Sequence, residues 1–339
     1  MMVKKQSLTA FLSALLFINL AFNLVSLYAE DIQHVEFSGN IVFTAPDNQI
    51  KVMQGKDNKI ISLTETGRNF RPRWSPDGTK VAFASVRGNH KNFEIYIMDA
   101  DGKNQSRLTY TNNGSSTEPH WSSDGNAIYF SSAIQGNMQE NIIEMAIDKK
   151  KTLKSAGTLQ DVSPIKDNKE LERPAKGETK SGKKLREWLE KNKGLFGTFP
   201  SPDGRYLLLY YDNEKKIILV DTVKGAQKEL KTRQYESGKP SWSKDSKKAA
   251  YMKHITPKDI LLIHDIRRGS YKVFLLDKEA DMRCGGELSW SPDSKKLVYS
   301  CGPVNSTAHE GESKSWLYIF DLKTRQSMKL TQGSSPDWH

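Results

Sequence analysis

Long apolar runs are scarce in this 339-residue chain. One lies near the start, Leu8 to Val25, and nothing after it is long and apolar enough to span a bilayer. Lys4 and Lys5 precede that run, and Ala29 follows it as a small residue before Glu30 and Asp31. This is the layout of a secretory signal peptide. An uncleaved anchor is the competing reading, which Asn19 and Asn23 weaken by putting polar groups inside the run. Residues 1–29 are therefore expected to be removed. The mature chain is expected to be exported, periplasmic or secreted, and not integral to the membrane.

Catalytic motifs are also missing. There is no Gly-x-Ser-x-Gly elbow, no phosphate-binding glycine loop and no His-x-His or His-Glu-x-x-His spacing among the seven histidines. No cofactor and no metal are expected on that basis. Cysteine is rare: Cys284 and Cys301 are the only two, and an even count in an oxidising compartment suggests one disulfide. Export also separates the chain from nucleic acid, despite its net charge of +11, which falls to +9 without Lys4 and Lys5.

What the chain does contain is a repeat. Pro-x-Trp recurs as Pro72-Arg73-Trp74, Pro119-His120-Trp121, Pro240-Ser241-Trp242 and Pro336-Asp337-Trp338. Leu288-Ser289-Trp290 is a variant, and Thr198-Phe199-Pro200 is a degenerate copy with Pro200 in the place of Trp. The anchors 74, 121, 200, 242, 290 and 338 are spaced by 47, 79, 42, 48 and 48 residues. A turn of the type Ser-Pro-Asp-Gly follows each of the first five. Pro presets φ, Asp bonds its own backbone, and Gly accepts a positive φ. An apolar second strand comes next, then a third ending near Asp, then a short fourth. Four strands per 40–48 residues is the signature of a β-propeller blade. Six anchors predict an all-β, six-bladed propeller over residues 30–339. The strands near Ile41, Gln49 and Ile60 lack an anchor strand before them, and the strand at Trp338 lacks partners after it. Pairing the two ends would close the ring without leaving an edge.

Trp74-Ser75-Pro76-Asp77-Gly78, Val81-Ala82-Phe83, Ile95-Tyr96 with Met98-Asp99, and Leu108-Thr109 together resemble the TolB-type propeller repeat. The resemblance implies an exported propeller of a family that mostly binds proteins. TolB itself carries an α/β domain and a partner-binding N-terminal segment before its propeller. Here only residues 30–40 separate Ala29 from the first strand, so a Tol–Pal role is not implied.

The long interval holds an insertion, residues 149–196, with 14 Lys/Arg against 7 Asp/Glu. It carries most of the excess charge and reads either as a solvated excursion or as an arm for an anionic surface, polymer or protein. Lys149, Lys150, Lys151, Lys183, Lys184, Arg186 and Trp188 are its candidate contact residues. Leu185, Trp188 and Leu189 would share one face of a short helix.

Cys284 and Cys301 should oppose each other across the first and second strands of the last repeat, near the hairpin's open end, which favours a disulfide between them. Strand order places the short turns on one face and the longer, individual connections on the other. Variable loops on a rigid frame usually carry function. Arg87, His90, Lys91, His120, Arg233 and Arg283 are the candidates for a binding surface on that second face. Two function classes follow: a monomeric, non-enzymatic binding scaffold of the cell envelope, or a channel-mouth hydrolase or lyase acting on a glycan or small substrate.

Overall fold

The strands of this protein read as near-continuous apolar runs because both faces of most sheets are covered. In the second strand of the first full repeat, Val81 and Phe83 pack to one side, against Val42, Ile50 and Val52 of the neighbouring sheet. Ala82 and Ala84, one residue out of phase, pack to the other side against Trp121, Ile128 and Phe130. Successive side chains of a strand point to opposite faces, so a sheet wedged between two others needs apolar residues at every position. Each Val, Ile or Phe side chain so sealed contributes about 1.5–3 kcal/mol, and each Ala less.

The computed structural model describes residues 35–89, 91–111, 114–134, 137–144, 197–211, 216–230, 238–255, 258–276, 282–303 and 315–339. Val35–His339 forms one compact unit. The described residues are all-β and arranged as a propeller, in five four-stranded sheets and one three-stranded sheet. The four-stranded sheets are antiparallel meanders. One runs Arg68–Trp74, Lys80–Val86, Glu94–Asp99 and Ser106–Arg107; the next of this kind runs Gly197–Pro200, Tyr206–Tyr211, Lys216–Asp221 and Gln227–Leu230. Two more begin with Ser241–Trp242 and Met282–Trp290 as first strands. The three-stranded sheet is Gly114–Trp121, Ala127–Ile134 and Asn137–Glu144.

The fifth four-stranded sheet joins distant parts of the chain, as the repeat count requires. Ser334–Trp338 pairs with Asn40–Thr44, with Ile41 opposite Trp338. His339 and Asn40 also exchange backbone hydrogen bonds, at 2.5 and 2.9 Å. Phe37 meets Trp338 edge to face at 5.4 Å, and Ile41, Phe43 and Trp338 share a core with Val298, Leu317 and Ile319 of the preceding sheet. The joint is therefore packed as well as hydrogen-bonded.

The turns after the anchors share one construction. Ser75 Oγ donates to Asp77 Oδ1 at 2.6 Å and accepts from Lys80 N at 2.9 Å. The same pair of bonds recurs at Ser122–Asp124, Ser201–Asp203, Ser243–Asp245 and Ser291–Asp293. The fourth position is left-handed each time: Gly78, Gly125 and Gly204 have φ near 70°, whereas Ser246 and Ser294 hold 57° and 58°. Glycine takes that conformation at little steric cost and serine does not.

The disulfide between Cys284 and Cys301 is formed. Its register has a physical origin that simple turn counting misses. Near the turn, Leu288 pairs with Tyr299 and Trp290 with Leu297, a register that would not bring Cys284 opposite Cys301. A bulge between Cys284 and Leu288 shifts the pairing and brings the cysteines together.

Candidate functional site: a charged channel floor and a cup above it

Bulges recur at one level of the inner strands, and they decide what enters the channel. The register shifts between Phe70 and Arg73, between Thr117 and His120, and between Cys284 and Leu288. Arg71 and Glu118 hold φ of 52° and 59° there, a conformation non-glycine residues seldom adopt. A bulge re-aims a side chain, and here it re-aims charged ones. The residues three before each anchor are Arg71, Glu118, Gly197, Lys239, Glu287 and Ser335. Four of these six are charged, and their signs alternate around the ring.

These four side chains pair with one another. Arg71 and Lys239 both close on Glu118, and each also reaches Glu287, at 3.6 and 3.7 Å. Arg73, two positions nearer its anchor, closes on the other oxygen of Glu287. Two carboxylates and three cations from four sheets therefore meet in the channel. Burial alone would raise the carboxyl pKa of Glu287, but Arg73, Lys239 and Arg71 outweigh it and hold it well below the usual range. Burial likewise opposes ionisation of Glu118, and Arg71 and Lys239 overcome it. Burial would lower the Arg73 pKa, and Glu287 and Asp337 raise it instead. Glu118, Glu287 and Arg73 stay charged because each has opposite charge in contact.

On the turn side of this floor lies a cavity of about 570 Å³. Its walls include Trp74, Trp121 and Trp242, and its rim includes Pro76, Pro202 and Lys244. Arg73, His120, Phe199 and Asp337, each one residue before its anchor, also line it. His120 meets Phe199 edge to face at 4.9 Å. Burial, reinforced by Arg73 and Lys239, lowers its pKa to about 3, so its imidazole is neutral.

The anchors also tie neighbouring sheets together. Trp121 Nε1 donates to Arg73 O at 3.0 Å, Trp242 Nε1 to Phe199 O at 2.8 Å, and Trp290 Nε1 to Ser241 O at 3.2 Å. Each acceptor is the carbonyl one residue before the previous anchor. At the closure the relay changes. Asp337 accepts from Ser289 Oγ at 2.7 Å and from Trp74 N at 2.8 Å, bridging the sheets on either side of the joint.

The structure separates the candidate surface residues. Arg87 follows the second strand of its sheet on the loop face, where it donates to Asn69, Ser85 and Gln105 and lies 4.5 Å over Tyr96. It is thus built into its own sheet. Lys91 is exposed on the same loop, and Arg283 lies half-buried at the start of its inner strand. His120 parts from them: it sits beside Trp121, at the turn end of the channel. His90 and Arg233 lie outside the described residues, as do Lys149, Lys150, Lys151, Lys183, Lys184, Arg186 and Trp188. Sequence reasoning passed over Glu118, Lys239 and Glu287. The signal that would have found them is their shared spacing from the anchors.

Residues 28–168 match the model of the TolB beta propeller domain. Over that stretch the chain is similar to the TolB-type propeller. Among solved structures, TolB from Acinetobacter baumannii superposes with a TM-score of 0.60 at 18% identity, over 90% of this chain and 67% of that one. A TolB candidate from Agrobacterium tumefaciens gives 0.52 at 14% identity, over 89% and 92%. A chain of the nidogen/laminin complex gives 0.53 at 10% identity, over 88% and 98%. At these identities the likeness is one of fold. No curated protein matches the chain. Among the described residues no group of three or more His, Cys, Asp or Glu could hold a metal ion, and no helix is long and apolar enough to cross a membrane.

Proposed function

We propose that this chain is an exported, monomeric protein-binding scaffold of the cell envelope, a six-bladed TolB-type propeller without catalytic chemistry of its own. In this reading residues 1–29 are a cleaved signal peptide, and the 114–144 sheet is the sixth blade. The observation that carries it is the closed channel. Arg71, Glu118, Lys239 and Glu287 meet across it. The channel is therefore crossed by ion pairs, and the frame is cross-linked from four sheets. A rigid frame of this kind suits recognition by the loops around it.

The partner surface is assigned to the loop face, with Lys91 and Arg283 as contacts and Arg87 as support, and with His90 and Arg233 as further candidates. The 149–196 insertion would serve as a second contact for an anionic envelope surface or protein. The test is cross-linking in envelope extract. A partner captured by the native chain should be lost on Lys91→Glu together with deletion of 152–194, and kept on Lys244→Glu, which lies on the turn face. Equal capture by both variants would remove the loop-face assignment. A mature N-terminus other than Glu30 would remove the proposed cleavage.

A further inference from the structure

The cup contains polar groups that the protein itself does not use. Trp74 is 8% exposed, lines the cavity, and its Nε1–H finds no acceptor among the described residues. The other four anchor indoles all donate: Trp121, Trp242 and Trp290 to the preceding sheet, and Trp338 to Ser38 O at 2.8 Å. A buried donor without a partner costs roughly 1–3 kcal/mol, so its persistence at a cavity wall points to an occupant that supplies the acceptor. His120 offers a neutral imidazole, one donor and one acceptor, edge to face with the ring of Phe199. The carboxylate of Glu287 also lines the cup; Arg73, Arg71 and Lys239 hold it, and its two oxygens have lone pairs for a further donor.

Space is available for the same reason that the repeat is broken. At five anchors an indole stands between neighbouring sheets, and at the sixth there is Pro200. The cavity runs over Phe199, Pro200 and Pro202, beside Trp121 and Trp242. Its walls are aromatic and prolyl, with polar atoms at fixed places among them.

Charge decides the class of ligand. Arg73 and Lys239 in the floor are already paired with Glu287, and Lys239 with Glu118 as well. A charged ligand would have to displace one of these pairs, and a buried charge left unpaired is costly. A neutral ligand would not. It must both accept from Trp74 and donate to Glu287, and it must show C–H faces to the aromatic walls. Hydroxyl groups on a saturated ring do all three. We infer that the turn-face cup binds a neutral saccharide, with Trp74 Nε1, His120 and the Glu287 carboxylate as its polar partners and Trp121, Phe199 and Trp242 as its walls. This site lies on the face opposite the proposed protein surface and does not depend on it.

The test is calorimetric titration of the whole mature chain with cellobiose and with N,N′-diacetylchitobiose, beside a short peptide with a free C-terminal carboxylate. Binding of at least one disaccharide in the millimolar range or tighter is expected. Trp74→Phe keeps an aromatic wall but removes the unused donor with part of the indole, so it should weaken that binding about tenfold, as the loss of one good hydrogen bond does. Its circular dichroism and the cooperativity of its unfolding should stay native, so that the lost affinity is not a loss of fold. Pro200→Trp should fill the cup and abolish binding while the circular dichroism stays native. Binding of neither disaccharide, unchanged affinity in Trp74→Phe, or binding of the peptide alone would each overturn the inference.

Discussion

The same repeat produces a sealed half and an open half. Trp290 and Trp338 are 0% exposed, whereas Trp74, Trp121 and Trp242 keep 7–8% and border the cup. Around Trp290 the indole lies among Leu297, Tyr299, Tyr318 and Phe320, and the disulfide belongs to the same core. Around Trp338 the core is completed by Phe37, which comes from before the first strand. On the other side of the ring Pro200 replaces an anchor and Trp74 keeps an unused donor. The difference teaches that the repeat sets the frame, and departures from it set where space is left.

The largest expected effect tests the sealed half. Trp338→Ala removes a fully buried indole and its bond to Ser38 at the ring joint, and should cost about 3–5 kcal/mol in denaturant unfolding. Trp74→Ala, beside an existing cavity and with no indole bond to lose, should cost clearly less. Equal losses would break the comparison.

The channel floor comes next. Glu287→Gln keeps the volume but leaves Arg73 without its carboxylate, and should destabilise by roughly 3 kcal/mol, the lower end of the cost of breaking a buried pair. A change in urea midpoint below about 1 kcal/mol would show that the floor is solvated and not structural.

Protonation sharpens the same contrast from the open side. His120 titrates near 3 in the fold, against an ordinary value of 6.5. The unfolded chain therefore binds more protons between these values, and stability is fully present above pH 6.5 and falls as pH drops toward 3. This histidine alone should remove ~2 kcal/mol between pH 7 and pH 5. The depressed carboxyls of Glu118 and Glu287 add their own loss only below the ordinary carboxylate range. His120→Gln should flatten the slope between pH 7 and pH 5; an unchanged slope would assign it to another group, such as His264, whose pKa burial lowers to about 4.

The smallest effect concerns a turn. Ser294 occupies a left-handed position where three sister turns have glycine. Ser294→Gly should therefore raise stability slightly, by about 0.5 kcal/mol, once relief of the steric cost is set against glycine's entropy. A loss of stability would mean that the buried Ser294 side chain contributes packing there.

Much of this architecture was legible in residue order. Trp74, Trp121, Trp242, Trp290 and Trp338 marked inner strands, and the Ser-x-Asp turns marked the hairpins, because turn chemistry and strand alternation are local. The pairing of Trp338 with Ile41 followed from counting strands. The cysteine pairing was legible too, although the bulge that produces its register was not. The site was much less legible. Arg71, Glu118, Lys239 and Glu287 are far apart in the chain, and each by itself looks like an ordinary strand charge. His120 was expected on the loop face, but its place with Trp74 and Phe199 on the turn side depends on how the inner strands converge.

The sequence by itself therefore determined the all-β repeat, its hairpins, the joint between distant strands and the degenerate anchor at Pro200, since these rest on backbone preference and on period-two burial. Only the tertiary structure decided that alternating charges would meet in the channel, that Trp74 would be left with an unused donor, and that a cup would open beside Pro200. Those outcomes depend on bulges and on the closing of a ring, which bring into contact side chains that no local spacing relates.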